Sequence, residues 1–189
     1  MNIATISIIA WLIMVEYPSI HIFGFVCLFI MKNNEEMCYD FLVRSKNMPF
    51  KVFTDTASGL SKEVREKYDI GYFRMGFLVN DKQYFADLDY PDFTREQMYE
   101  WVKDPNVTIR TSLVSREEFN EKCEKYLKQG FDILYVACPD ALSGTRGAFE
   151  LTKEEWQEKY PERKILSINA CRAEMALGLM AIEAAKKKR

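Results

Sequence analysis

Two short hydroxyl-bearing segments, Arg110-Thr111-Ser112 and Leu142-Ser143-Gly144-Thr145, carry the chemistry this chain has to offer. Each precedes a stretch of helical periodicity, so each can aim backbone N–H groups and a hydroxyl at an anion; the first amides of a helix have no intrahelical partner. Taken singly, the Ser143 segment reads as a capped tight turn and Thr111-Ser112 as a solvated loop. Taken together, on different parts of one sheet, they would fix a carboxylate or phosphate in both position and direction. Asp55-Thr56 forms a third polar loop, which reads equally as ligand-facing or as the cap of the next helix.

Composition removes several classes of function. The 189 residues include 26 Lys and Arg against 28 Asp and Glu, a formal charge of −2. Basic residues are scattered apart from Lys186-Lys187-Lys188-Arg189, which ends an Ala-rich helical pattern, so no general nucleic-acid surface is indicated. The single histidine, His21, lies in an apolar run far from other polar clusters. A Ser-His-Asp or Cys-His centre is therefore not expected. The five cysteines are odd in number and widely spaced, with no C-x-x-C pair. Neither a disulfide framework nor a zinc site follows, and the reducing cytoplasm fits best.

The elements that must position the hydroxyl segments begin at Met48. From there short apolar runs alternate with amphipathic stretches, the pattern of an α/β fold with a mainly parallel sheet and helices on both faces. Strands are expected at 50–54, 70–79, 133–138 and 164–168, and helices at 62–67, 94–102, 116–128, 146–159 and 173–186. Ser115 with Glu118 three residues later is a capping box, and Thr94 precedes Glu96 and Gln97 in the same manner. Asn80-Asp81 between apolar runs predicts a hairpin, an antiparallel appendage to the sheet. Ligands of open α/β sheets bind beyond the carboxyl ends of the strands. The loops at 55–59, 139–147 and 169–172 fall there.

Residues 1–47 form an apolar N-terminal extension. Residues 3–31 are rich in Ile, Phe, Val, Leu and Met, but Glu16, Tyr17, Pro18 and His21 divide them into halves too short to span a bilayer alone. A kinked membrane segment would carry an acid at its centre, at about 2–3 kcal/mol. No basic region precedes the run, which argues against a secretory signal. Either the extension associates the protein with a membrane, or it is upstream sequence outside the working protein, since Met48-Pro49-Phe50-Lys51-Val52 makes a natural start for a first strand.

The run Phe53-Thr54-Asp55-Thr56-Ala57-Ser58-Gly59-Leu60, followed by Arg110-Thr111-Ser112 and then Leu142-Ser143-Gly144-Thr145 after a strand, resembles the DegV family of fatty-acid-binding proteins. Ser167-Ile168-Asn169-Ala170 and Ala176-Leu177-Gly178-Leu179 look like the last strand and the Gly-containing helix of that family's first domain. The resemblance covers about residues 49–186, so residues 48–189 are expected to form a DegV-like fatty-acid-binding domain.

That resemblance implies a non-catalytic protein, without cofactor or metal, that binds a long-chain fatty acid and presents its carboxyl group to a fatty acid kinase. It implies that Thr111 and Ser143 hydrogen-bond the carboxylate, with Ser112, Gly144, Thr145, Asp55 and Thr56 in support. It also implies a second domain that closes the lipid tunnel. The chain has no counterpart for that domain, so a partner chain would supply it or the chain is a fragment. Leu113-Val114 stands where Gln-Pro is usual in the family, and Cys138-Pro139-Asp140-Ala141 stands where serines are usual. Asp140 thereby brings a negative charge toward the expected carboxylate.

Two other readings compete. The same turns could hold a phosphorylated small metabolite in an α/β enzyme or binding protein, although the chain lacks a P-loop, a dinucleotide fingerprint and a convincing acid–base pair. Alternatively, an isolated half-tunnel would be an inactive fragment.

Overall fold

The first apolar run, Phe50–Asp55, is buried at every residue, as a strand must be when it has neighbours on both sides and helices over both faces. The computed structural model describes residues 48–187; the readings of the N-terminal extension lie outside the described residues. The elements follow in the order β1 (Phe50–Asp55), a 3-10 turn (Thr56–Ser58), α1 (Lys62–Tyr68), β2 (Ile70–Phe73), β3 (Met75–Val79), β4 (Lys82–Ala86) and α2 (Arg95–Lys103). The chain continues with β5 (Ile109–Thr111), α3 (Arg116–Lys128), β6 (Asp132–Ala137), α4 (Thr145–Lys159), β7 (Ile165–Asn169) and α5 (Met175–Lys186).

The main sheet is parallel throughout, in the order β2-β1-β6-β7. Alternation along the strands sends Phe53, Phe73 and Tyr135 to one face. There they join Phe119 and Cys123 of α3 and Phe149 and Trp156 of α4 in a buried cluster. Phe53 and Phe73 stack with centroids 4.8 Å apart, while the other rings meet edge-on or tilted, Phe73 standing 4.8 Å from Phe119 and Phe149 standing 5.5 Å from Trp156. The opposite face is covered by α5, which packs on β1 and β6 and touches α1. Gly178 makes that approach possible: a methyl group there would lie 2.8 Å from the Ser58 carbonyl oxygen and 2.7 Å from Leu60 Cδ2.

The expected strand at 70–79 is two strands. At Arg74 the backbone N–H donates to Glu118 Oε1 at 3.0 Å, so the ladder is interrupted and the chain passes from the main sheet into a second one. The second sheet is antiparallel, in the order β4-β3-β5. The hairpin at Asn80-Asp81 is present, with φ of 47° and 68° as a primed turn requires. Phe77, Val79 and Phe93 form the core of this sheet, with Met98 and Trp101 of α2 packed against them. What sequence reading treats as an appendage is thus a separate sheet whose third strand, β5, is too short to show periodicity.

The predicted helices are all present, with ends shifted by two residues at most. Ser115 accepts from the Glu118 amide at 3.2 Å. The carboxylate of Glu118 does not close the capping box; it turns to Arg74 and Lys122 instead. Among the described residues no helix is long and apolar enough to cross a membrane.

Candidate functional site

At the carboxyl edge of the main sheet, the chain leaves β1 toward α1 on one face and leaves β6 toward α4 on the other. The neighbouring ends of β1 and β6 therefore form the switch point at which open α/β sheets bind ligands. Asp55 closes this point from within. It is fully buried; Oδ1 accepts from the Ala57 amide at 3.0 Å, and Oδ2 accepts from Tyr135 Oη at 2.7 Å and from the Cys138 amide at 2.8 Å. Burial raises the pKa of its carboxyl above the usual range, against the lowering effect of these three donors. Of its two sequence readings, the geometry is that of the cap: Asp55 fixes how β6 hands over to the loop beyond it. Thr56 accepts at Oγ1 from the Met75 amide at 3.4 Å, which ties the same loop to the start of β3.

The loop after β6 is wound tightly. The Pro139 carbonyl accepts from the amides of Leu142 and Ser143 at 2.9 and 3.0 Å. Ser143 Oγ lies 2.9 Å from Thr145 Oγ1 and accepts from the Thr145 amide at 3.3 Å. Thr145 is fully buried, Ser143 half-buried and Gly144 exposed. Gly144 caps α4 without a side-chain bond, which leaves the Arg146 and Gly147 amides of the first turn without a capping side chain. A charged clasp flanks the turn. Arg146 donates from Nε to Asp140 Oδ1 at 2.8 Å and from a terminal nitrogen to Oδ2 at 2.5 Å, while Asn169 Nδ2 donates to Oδ2 at 2.9 Å. The Arg146 hydrogen bonds hold the Asp140 carboxyl below its ordinary range.

Thr111 and Ser112 do not open a helix, as their sequence suggests. Thr111 ends β5, paired with Phe77, and the Ser112 amide donates to the Gly76 carbonyl at 2.8 Å. Both residues are exposed, and neither hydroxyl has a hydrogen-bond partner among the described residues. The next residue joins the two segments: Leu113 methyl carbons stand 3.6 and 3.7 Å from the position a Cβ would take on Gly144. The loop that follows β5 thus passes near the Ser143 turn.

Three contributors escape sequence reading. Gly76 has no room for a side chain because Ser112 Oγ occupies the space. Leu113 is half exposed at 49%, yet its methyl carbons approach Gly144. Arg146 neutralises the Asp140 charge that sequence alone sets against the site. The spacing Asp140-x5-Arg146 across a loop and a first helical turn is a local signal that could have shown the last of these. Among the described residues, no group of three or more His, Cys, Asp and Glu side chains could hold a metal ion.

A parallel four-stranded sheet with a small antiparallel sheet beside it and hydroxyl-bearing loops at its carboxyl edge defines an α/β domain. The chain belongs to the DegV family: residues 49–188 match the family described as uncharacterised protein, DegV family. A DegV domain-containing protein of Clostridium perfringens is 33% identical over 140 residues, covering 74% of this chain and 47% of the relative. A second protein of that organism is 31% identical over 140 residues, covering 74% and 48%. Among solved structures, a stearic acid-binding protein of Eubacterium ventriosum superposes with a TM-score of 0.65 at 26% identity, over 72% of this chain and 46% of that one. A DegV family protein of Thermus thermophilus, described for its fatty acid binding, superposes with a TM-score of 0.63 at 21% identity, over 74% and 47%. This chain spans about half the length of the curated relatives it matches.

Proposed function

We propose that this domain binds a long-chain fatty acid without transforming it. Thr111 and Ser143 hold the carboxylate, and Ser112, Gly144 and Thr145 complete the head-group pocket; Asp55 and Thr56 support it by anchoring the loops. The observation that supports this reading is the approach of the Leu113 side chain to Gly144, which brings the loop after Thr111-Ser112 near the Ser143 turn. When Thr145 donates its hydroxyl proton to Ser143, the Ser143 proton is left for a ligand oxygen. Thr111 brings a second uncommitted hydroxyl.

Neutral donors suit a carboxylate that must later react, because they orient it without adding a fixed cation. Affinity comes mainly from the acyl chain, at about 0.8 kcal/mol per buried methylene. The exposed Leu113, Leu142 and Met175 lie on loops and a helix start at this same edge. The head group, at the open end of the sheet, is placed for delivery to a fatty acid kinase, which would make the acyl phosphate.

The test is retention of lipid. Delipidated protein is offered a series of saturated and unsaturated fatty acids, and the bound acyl chains are measured by mass spectrometry. The unaltered protein is expected to retain long-chain acids, and the Thr111→Ala, Ser143→Ala double variant to lose them while keeping its circular dichroism. Equal retention by the two proteins overturns the reading.

A further inference from the structure

The clasp between Asp140 and Arg146 has no necessary part in building the turn. Ser143 is already held by the Pro139 carbonyl on one side and by Thr145 on the other. What the clasp adds is a pair of opposite charges close to the proposed donor along the chain: Asp140 lies three residues before Ser143, and Arg146 three residues after it. The carboxylate takes both guanidinium bonds and a further bond from Asn169, and the two side chains are only partly exposed, at 30% for Arg146 and 41% for Asp140. Such a fork-to-fork pair is directional and carries no net charge.

We propose that Asp140 and Arg146 are specificity-determining residues for the head group: each cancels the other's field at Ser143, and removal of either one changes the preference for an anionic over a neutral ligand. This rests on the fatty-acid reading of the site. With Asp140 neutralised, the Arg146 cation is left with Glu150 as its weaker anionic neighbour and attracts a carboxylate. With Arg146 neutralised, the Asp140 anion repels it. With both neutralised, the field returns to that of the original pair.

A charge cycle tests this in the full chain. Unaltered protein, Asp140→Asn, Arg146→Met and the double variant are titrated by calorimetry with palmitate and with hexadecanol, which has the same chain and no charge. For palmitate, Asp140→Asn is expected to bind about fivefold tighter and Arg146→Met about fivefold weaker, with the double variant close to the unaltered protein. Hexadecanol should bind all four alike. Raised salt should reduce the palmitate differences.

Parallel losses for both ligands in all three variants would mean that the clasp only braces the loop, and would overturn the proposal while leaving the fatty-acid reading intact. Identical palmitate affinities in the four proteins would overturn it in the same way. If the unaltered protein takes up neither ligand, the fatty-acid reading and this proposal both fall.

Discussion

At the scale of single residues, the proposed site rests on positions that carry no donor of their own toward it. Gly76 is the sharpest case, since its Cα faces Ser112 Oγ and its carbonyl holds the Ser112 amide. Gly76→Ala is expected to push Ser112, and with it Thr111, off its place at the end of β5. Calorimetry should show fatty-acid affinity falling about tenfold, which is about 1.4 kcal/mol, while far-ultraviolet circular dichroism stays unchanged. An unaltered affinity would show that Ser112 can shift without disturbing Thr111. Asp55 is partly legible in the sequence, because an Asp that follows an apolar strand and precedes a turn is a familiar cap. Its second task, joining the ends of β1 and β6 through Tyr135 and Cys138, depends on residues about eighty positions away, and no local pattern records that.

At the scale of elements, periodicity revealed the strands and helices of the main sheet because each buries a face several residues long. It failed at Arg74. The apolar run from Ile70 to Val79 reads as one strand, and only the carboxylate of Glu118, arriving from α3, separates it into two. Thr111 escaped assignment for a related reason: three residues of β5 are too few for alternation, and the strand exists because β3 supplies its partner.

Glu118 is thus the pin between the sheets, and its chemistry has a pH signature. Burial alone would raise its pKa, but the bonds from Arg74 and Lys122 outweigh this and hold the pKa below its ordinary value of 4.5. A carboxylate lowered in the folded state adds stability above its unfolded pKa and loses that contribution as pH falls through the folded one. Glu118→Gln should therefore cost about 2–3 kcal/mol at neutral pH. The deficit should shrink as the pH drops below 4.5. Urea denaturation of both proteins across that range checks it, and a deficit independent of pH would mean that the loss is one of packing.

At the scale of the whole molecule, a ligand that binds only the folded chain shifts the unfolding equilibrium by mass action. Palmitate at 100 times its dissociation constant should stabilise the domain by about 2.7 kcal/mol, seen as a rise in Tm that grows with ligand concentration. The Thr111→Ala, Ser143→Ala variant should show no rise at the same concentrations. Phosphorylated metabolites in place of palmitate separate the two ligand classes that the hydroxyl turns could serve; a rise with a phosphorylated metabolite and none with palmitate would move the assignment away from lipids.

The two hydroxyls belong to different sheets. Ser143 rides on the parallel one and Thr111 on the antiparallel one, and the chain crosses between them at Arg74. The proposed clamp would therefore draw one donor from each of two sheets within a single compact unit. A carboxylate that bridges the two donors would lock one sheet to the other, and any partner that leans on the hairpin at Asn80-Asp81 would have a lever for prising the donors apart and releasing the cargo.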